Sequence, residues 1–81
     1  MEKTELIEKV NQILVDEFEV EPEVITPDAN IKQALQLDSL SIVDMVALIE
    51  GEFKVKIKAS EVSKLTTFQL LYDYIYEHYE G

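Results

Sequence analysis

The sequence predicts an all-α protein, a small bundle of four helical segments of which one is short. Apolar residues recur at helical spacing in three separate stretches of the chain. Both prolines fall in one connection, residues 19–38, and no repeat or low-complexity segment interrupts the rest. The one stretch with strand-like alternation, residues 53–59, has no convincing partner strand, and a lone strand would leave its backbone groups unpaired.

The length and composition of the chain indicate one globular domain, residues 1–81. A chain this short has no room for a second core, and 47% hydrophobic with 30% charged residues is typical of a folded protein. The absence of cysteine excludes a disulfide framework, a thiolate metal site and a cysteine nucleophile. No apolar run approaches membrane-spanning length, and the N-terminus is too charged for a signal peptide, so we expect a cytoplasmic protein.

The charge of the chain is strongly negative. Seventeen acidic residues against seven lysines, with no arginine, give a formal net charge of −10. Nucleic acid and anionic membranes repel such a protein, whereas partners with basic surfaces are steered toward it. Acidity by itself can equally serve solubility. Residues 33–53, however, contain four acidic residues and no basic one, so the helix predicted there is purely anionic.

The N-terminal half of the chain predicts one helix and one long connection. The helix covers residues 5–18, with Thr4 as its N-cap. Its apolar face comprises Leu6, Val10, Ile13, Leu14 and Phe18. The connection, residues 19–38, is long for a structureless segment in a small domain. Its apolar residues are therefore expected to pin it over the helices: Val20, Val24, Ile25, Ile31 and Leu35.

The second helix is predicted from Ser39 to Glu50, because Gly51 suits the left-handed position that ends many helices. The helix carries two apolar stripes. The inner stripe comprises Ile42, Met45, Val46, Ile49 and Phe53. The outer stripe comprises Leu40, Val43 and Ala47, beside Asp44. One stripe suffices to bury a helix, so the outer stripe is either buried as well or an exposed contact surface.

The C-terminal part of the chain predicts an extended connection and two helices. Residues 53–59 alternate apolar residues with lysines and are expected to run extended, pinned by their apolar side chains. Ser60 is the expected cap of a short helical turn over residues 61–65. The last helix covers residues 68–80, with Thr66 or Thr67 as its N-cap. Its inward residues are predicted to be Phe68, Leu71, Tyr72 and Ile75, with Tyr79 at the end of the stripe.

The candidate functional residue is Ser39, at the point where a loop turns into the second helix. A serine at a helix start most often caps the helix, and Asp38 or Ser41 would serve equally well. The same position exposes a hydroxyl to a second protein, and the positive helix end can accommodate a phosphodiester once it is formed. Nothing in the sequence activates this serine in place, since the only histidine, His78, lies in the last helix and no G-x-S-x-G or S-x-x-K pattern is present. A hydrolase is therefore not expected.

The remaining polar and aromatic residues form no recognisable catalytic or metal-binding pattern. His78 and the four tyrosines of the last helix fit the two faces of an amphipathic helix. The carboxylates show no calcium-loop spacing. We therefore predict no catalytic residue and no metal ligand.

The surroundings of Ser39 resemble the attachment site of the acyl carrier protein family. Ile31 and Leu35 match apolar positions that precede the family's Asp-Ser-Leu. Residues 38–53, DSLSIVDMVALIEGEF, resemble the helix that bears the family's modified serine. Residues 65–75, LTTFQLLYDYI, resemble its last helix at the expected distance. The resemblance thus covers nearly the whole chain.

The resemblance implies both a fold and a function. The fold is an up-down four-helix bundle with three main helices and a short third one. Ser39 would carry a 4'-phosphopantetheine arm, and Asp38 beside it would help to orient the metal and the transferase. The protein would then move acyl intermediates as thioesters and would not be an enzyme.

The family's partner enzymes read the outer side of the second helix. On this chain that side maps to Leu40, Val43, Asp44, Ala47 and Glu50. The implied partners are a phosphopantetheinyl transferase and the acyl-loading and condensing enzymes, with basic surfaces, acting on a monomer without nucleic acid or membrane. An apolar cleft beneath the arm is expected to be lined by Met45, Val46, Ile57, Leu65 and Tyr72.

Three departures from the family pattern bear on the pathway. Gln36 stands where many members have glycine, and Ser41 stands where many have an acid. Residues 54–60, KVKIKAS, replace the usual acidic segment before the short third helix. These differences favour a dedicated carrier of a secondary pathway over a housekeeping fatty-acid carrier. The function that the resemblance implies is that of an acyl carrier in a discrete (type II) fatty-acid or polyketide-like pathway. A peptidyl or aminoacyl carrier and an unmodified acidic interaction module remain the alternatives.

Overall fold

Five α-helices and a 3₁₀ turn make up this computed structural model, which describes residues 2–79 without the side chains of Ser39 and Ala59. The elements are α1 (Lys3–Phe18), the 3₁₀ turn (Pro22–Val24), α2 (Ile31–Leu35), α3 (Ser39–Phe53), α4 (Ala59–Val62) and α5 (Phe68–His78). No strand forms among the described residues, apart from one isolated bridge between Asn30 and Thr67. The predicted all-α fold with three main helices is therefore confirmed.

Helix α1 begins earlier than the sequence predicts. Its first residue is Lys3 and its N-cap is Glu2, which makes no side-chain capping bond, so the prediction of Thr4 as N-cap is wrong. The Leu6 N–H donates to the Glu2 carbonyl at 3.0 Å, and Lys3 forms an ion pair with Asp73 of α5. The helix thus begins two residues before the predicted start, at a residue that contacts a distant helix. Local capping residues do not indicate this earlier start.

The connection between α1 and α3 is pinned to the bundle, as predicted, but it also contains two short helical elements that were not predicted. Ile25 in it is buried, as are Ile31 and Leu35, whereas Val24 is exposed. Two backbone bonds tie it to the region where α5 begins: Ile31 N–H donates to the Thr66 carbonyl at 2.9 Å, and Gln69 N–H donates to the Pro27 carbonyl at 3.0 Å. Elements of three and five residues are too short to show a helical period.

Helix α3 begins at Ser39, as predicted, but it passes through Gly51 and ends at Phe53. The left-handed residue that follows it is Lys54, at φ 53°, and no glycine has a positive φ in the described residues. The predicted end at Glu50 with Gly51 as the left-handed residue is therefore wrong. The longer helix carries Phe53 into the core and leaves Val55 buried immediately after the turn.

The segment after α3 is extended and joins no sheet, as predicted. Val55 and Ile57 are buried, while the three lysines around them are exposed. The short helix that follows begins at residue 59 with Lys58 at the N-cap, so the prediction of Ser60 as cap is wrong. Thr67 is the N-cap of α5, because its hydroxyl accepts from the Leu70 N–H at 3.4 Å.

The core is formed by one cluster of apolar side chains from α1, α2, α3, α5 and the segments before α2 and after α3. It comprises Leu6, Val10, Leu14, Ile25, Ile31, Leu35, Met45, Val46, Ile49, Phe53, Val55, Ile57, Phe68, Leu71, Tyr72 and Ile75. The hydroxyl of Tyr72, a member of this cluster, donates to the Asn11 side-chain oxygen of α1. Burial disfavours the phenolate and raises the pKa of Tyr72 to about 12.

Within residues 2–79, every helix is too short or too polar to span a lipid bilayer.

Candidate functional site

The candidate site is built on a tight turn between α2 and α3. Gln36 ends α2 in the left-handed conformation, at φ 54° and ψ 48°. The Gln36 N–H and the Leu37 N–H both donate to the Lys32 carbonyl, the latter at 2.9 Å. Glycine is the residue that adopts such a conformation with least strain. Gln36 therefore adopts, with a side chain, a conformation in which glycine would be less strained.

The N-cap of α3 is Asp38. Its carboxylate accepts a hydrogen bond from the Ser41 N–H at 2.8 Å, and its carbonyl accepts the first helical bond, from the Ile42 N–H at 3.1 Å. The bond from the Ser41 backbone, with a further one from the Ser41 side chain, lowers the pKa of Asp38. Asp38 is thus an exposed carboxylate that stays ionised at neutral pH.

The identity of this cap bears on the capping explanation for Ser39. That explanation requires Ser39 at the N-cap, but Asp38 occupies that position. Ser39 is the first helical residue, one position past the cap. Its side chain lies outside the described part of the structure, so its role rests on this backbone position and on the groups around it. Capping no longer accounts for a serine here.

The start of α3 is suited to a phosphodiester. The N–H groups of the first helical turn have no partners within the helix, and the helix dipole adds positive potential there. The Asp38 carboxylate accepts from the Ser41 N–H at 2.8 Å, and a weaker bond from the Leu40 N–H also lowers its pKa. The positive end of the helix favours an anion attached there.

The outer stripe of α3 is exposed. Leu40 is 78% exposed and Val43 is 59% exposed, and both Asp44 and Ala47 also face solvent. The alternative in which Val43 and Ala47 are buried is therefore wrong. Two large apolar side chains beside an acidic one thus form an exposed patch that the protein's own core leaves uncovered.

Glu50 differs from the other four residues predicted on this surface. It is half-buried, and its carboxylate accepts a hydrogen bond from the Ile57 N–H at 2.9 Å. Glu50 thus holds the extended segment against the end of α3. Its position is explained by this internal bond.

A groove of about 420 Å³ opens beside α3. Its lining comprises Asn30, Ile31, Lys32, Ile42, Val62, Ser63, Leu65 and Thr66. Ile42 lies three residues after Ser39, hence about one turn along the same helix. The groove therefore begins within one turn of the candidate attachment residue.

The predicted lining of this groove was mostly wrong. Of the five residues predicted, only Leu65 lines it. Met45 and Tyr72 are 2% and 1% exposed, and Val46 and Ile57 are likewise buried in the core. Helical periodicity shows that a residue faces inward, but it does not show which inward residues border a gap. The gap here is bounded by α2 and α4, which are too short to show a period.

The acidic residues and His78 do not gather into a metal-binding group in the part of the chain that the structure describes. Among residues 2–79 there is no group of three or more histidine and acidic side chains that could hold a metal ion. The His78 ring stacks on Tyr74 with the ring centroids 4.1 Å apart, and its Nδ1 donates to the Tyr74 carbonyl at 2.9 Å. His78 is thus engaged within its own helix.

Comparisons with known proteins agree with this geometry. A family model described as the phosphopantetheine attachment site matches residues 8–75. The acyl carrier protein of Thermosynechococcus vestitus is 39% identical over 75 residues, covering 93% of each chain. That of Rubrobacter xylanophilus is 32% identical over 78 residues, covering 96% of each. A solved structure of the acyl carrier protein from Enterococcus faecalis superposes with a TM-score of 0.79 at 32% identity, covering 95% of this chain and 98% of that one.

Proposed function

Because this chain belongs to the acyl carrier protein family, whose members are carriers and not catalysts, we propose that it carries acyl groups on a 4'-phosphopantetheine arm attached to Ser39. The observation that carries this proposal is the cap of α3. Asp38 fills the N-cap position, so Ser39 stands first in the helix without a structural duty as the cap. The match to the phosphopantetheine attachment family includes this position.

The residues around Ser39 suit an attached arm. When bound, the arm supplies a thiol that holds an acyl group as a thioester. The positive end of α3 favours the phosphodiester that links the arm to the serine. The ionised Asp38 carboxylate lies next to the serine in sequence, where it can orient a metal ion brought by the transferase. The groove that includes Ile42 and Leu65 offers a partly apolar shelter for cargo.

The exposed face of α3 supports binding to enzymes with basic surfaces. Leu40 and Val43 supply exposed apolar groups, and the neighbouring Asp44 adds a negative charge to the same exposed face. Residues 33–53 contain no basic side chain that would oppose such a partner. Apolar anchors within a charged rim are the arrangement expected of a transient interface. We propose the transferase, the acyl-loading enzymes and the condensing enzymes as its partners.

The attachment is tested by intact-mass measurement after incubation with coenzyme A, Mg²⁺ and a broad-specificity phosphopantetheinyl transferase. The protein should gain the mass of one phosphopantetheine group, and Ser39→Ala should gain none. Ser41→Ala is the matched control, since it removes a hydroxyl two residues away and should still be modified. Failure of the unaltered protein to gain mass, or a gain in Ser39→Ala, would overturn the proposal in favour of an unmodified interaction module.

The proposed pathway is a discrete type II fatty-acid or polyketide-like one, in the cytoplasm, with the carrier as a monomer. The departures at Gln36 and Ser41, and the lysines after α3, support a dedicated carrier over a housekeeping one. Mass spectrometry of the thioester-bound cargo from the native host tests this assignment. An acyl or polyketide cargo supports it, and an aminoacyl or peptidyl cargo contradicts it.

A further inference from the structure

The segment after α3 carries the opposite charge from the rest of the surface. Lys54, Lys56 and Lys58 are all exposed, in a chain with a net charge of −10. Among the described residues, the ion pairs are Lys3 with Asp73 and Lys64 with Glu61, the latter at 3.9 Å. The three lysines of residues 54–58, called the lysine segment below, therefore have no acidic partner within the described chain.

The lysine segment is held firmly by the bundle. Val55 and Ile57 alternate with the lysines and are 3% and 7% exposed. The Ile57 N–H donates to the Glu50 carboxylate at 2.9 Å, and the Tyr74 hydroxyl donates to the Lys56 carbonyl at 3.4 Å. Contacts with both α3 and α5 thus fix the backbone. A partner meeting these lysines does not have to order the backbone that carries them.

The shape around the lysine segment also suits a protein partner. Lys56 and Lys58 lie two residues apart in extended backbone, so their stems stand about 7 Å apart on one side. Lys54 and Lys56 border an open depression of about 480 Å³ at the end of α3, lined also by Glu50, Gly51 and Val55. Acidic side chains at every second position of an extended strand have the same spacing as the lysines.

We propose that the lysine segment is a second docking surface, which binds an acidic, extended segment of a partner protein. The lysine segment spans at most about 14 Å, since it is five residues long. Salt screens exposed charges over about 8–10 Å, so the lysines attract only groups that lie close to this segment. A long polyanion or an anionic bilayer that touched it would also meet the acidic surface of the rest of the protein. A short acidic segment meets the lysines with Glu50 as the one acidic residue that lines the depression, and the Glu50 carboxylate already accepts the Ile57 N–H. The surface lies at the far end of α3 from Ser39, about 22 Å along a helix of 15 residues, and its binding does not depend on the arm.

This docking surface is tested by following the amide resonances of the ¹⁵N-labelled protein during titration with a synthetic peptide of alternating glutamate and threonine, at low salt. The matched peptide has the same composition with its glutamates in one block. The alternating peptide should shift resonances at residues 54–58 and should bind more tightly than the block peptide. Equal binding of the two peptides, or shifts spread over the whole surface, would overturn the proposal.

Two lysine variants of equal charge separate a specific surface from general attraction. The variant Lys54→Gln/Lys56→Gln/Lys58→Gln should bind the alternating peptide about tenfold more weakly, since three exposed ion pairs are lost. Lys9→Gln/Lys32→Gln/Lys64→Gln removes the same charge elsewhere and should weaken it much less. Equal weakening in both would contradict the proposal, as would tighter binding of single-stranded RNA or anionic vesicles at residues 54–58. Mass gain at Ser39 is measured separately, so failure of this surface and failure of the attachment remain distinguishable.

Discussion

Replacement of Gly51 by alanine tests where α3 ends. Gly51 lies within the helix at an exposed position, and a Cβ built there meets no atom within 4 Å. Alanine in an exposed helix interior is favoured over glycine by about 0.5–1 kcal/mol, part of which comes from reduced entropy of the unfolded chain. Gly51→Ala should therefore stabilise the protein by that amount. For a domain of this size, each 1 kcal/mol raises Tm by about 4–8 °C.

The assay for this prediction is urea unfolding followed by circular dichroism at 222 nm. The midpoint should rise with an unchanged dependence of the free energy on urea. If Gly51 instead adopted the left-handed conformation that the sequence alone suggested, alanine would cost about 1–2 kcal/mol. A lower midpoint for Gly51→Ala would thus refute the helix end described for α3.

Lys54→Gly is the reciprocal variant, because Lys54 is the residue that the structure places in the left-handed conformation. Glycine relieves the strain there but increases the entropy of the unfolded chain, so stability should change by between zero and about +1 kcal/mol. A loss of about 1 kcal/mol, the cost of glycine in a helix interior, would contradict the assignment.

The other predictions concern single contacts and the outer face of α3. Burial raises the pKa of Tyr72 from 10.0 to about 12, so the unfolded state loses this proton first as the pH rises. The free energy of unfolding should therefore be unaffected by this group below about pH 10 and should fall by about 2 kcal/mol as the pH rises to 12. Tyr72→Phe should lower the free energy of unfolding at pH 7 by about 1 kcal/mol, because the bond to Asn11 is lost. In urea unfolding from pH 8 to 12, the stability of this variant should also fall less than that of the unaltered protein. An equal fall in both proteins would contradict the role of the phenol. Glu50→Ala should lower the free energy of unfolding by about 1 kcal/mol in the same assay, because the Ile57 N–H loses its acceptor. An unchanged stability would show that this bond contributes nothing. Val43→Ser should change the free energy of unfolding by less than about 0.5 kcal/mol, because Val43 is exposed, yet it should slow modification by the transferase. Ile49→Ala, on the buried face of the same helix, should cost about 2–5 kcal/mol. A large loss of stability for Val43→Ser would show that the outer face packs internally.

Features governed by neighbouring residues were predictable from the sequence. The beginning of α3 at Ser39 follows from an acid and two hydroxyl residues before an apolar run, and the structure places it there. The inward residues of α5 follow from helical spacing, and Phe68, Leu71 and Ile75 are buried as expected. Local capping chemistry and a regular period need no knowledge of the rest of the chain.

Several helix boundaries were not predictable, because distant contacts set them. Thr4 and Ser60 have good capping chemistry but lie inside helices that begin before them. In α1, Lys3 meets Asp73, a residue seventy positions away. Gly51 has the typical residue type of a helix end, yet the helix continues until Phe53 is in the core. Propensity is a weak preference that such contacts override.

Residue types and their spacing along the chain were enough to predict the fold class, the family resemblance and the position of Ser39 at a helix start. The three-dimensional structure was needed to show that Leu40 and Val43 are exposed and which residues line the groove, because those properties depend on which groups from distant parts of the chain lie beside α3. The Asp38 cap is a local bond to the Ser41 N–H, but the residue types left Asp38, Ser39 and Ser41 as equally good caps. The lysines after α3 show both levels: their alternation was visible in the sequence, but the burial of Val55 and Ile57 fixes them as one exposed surface.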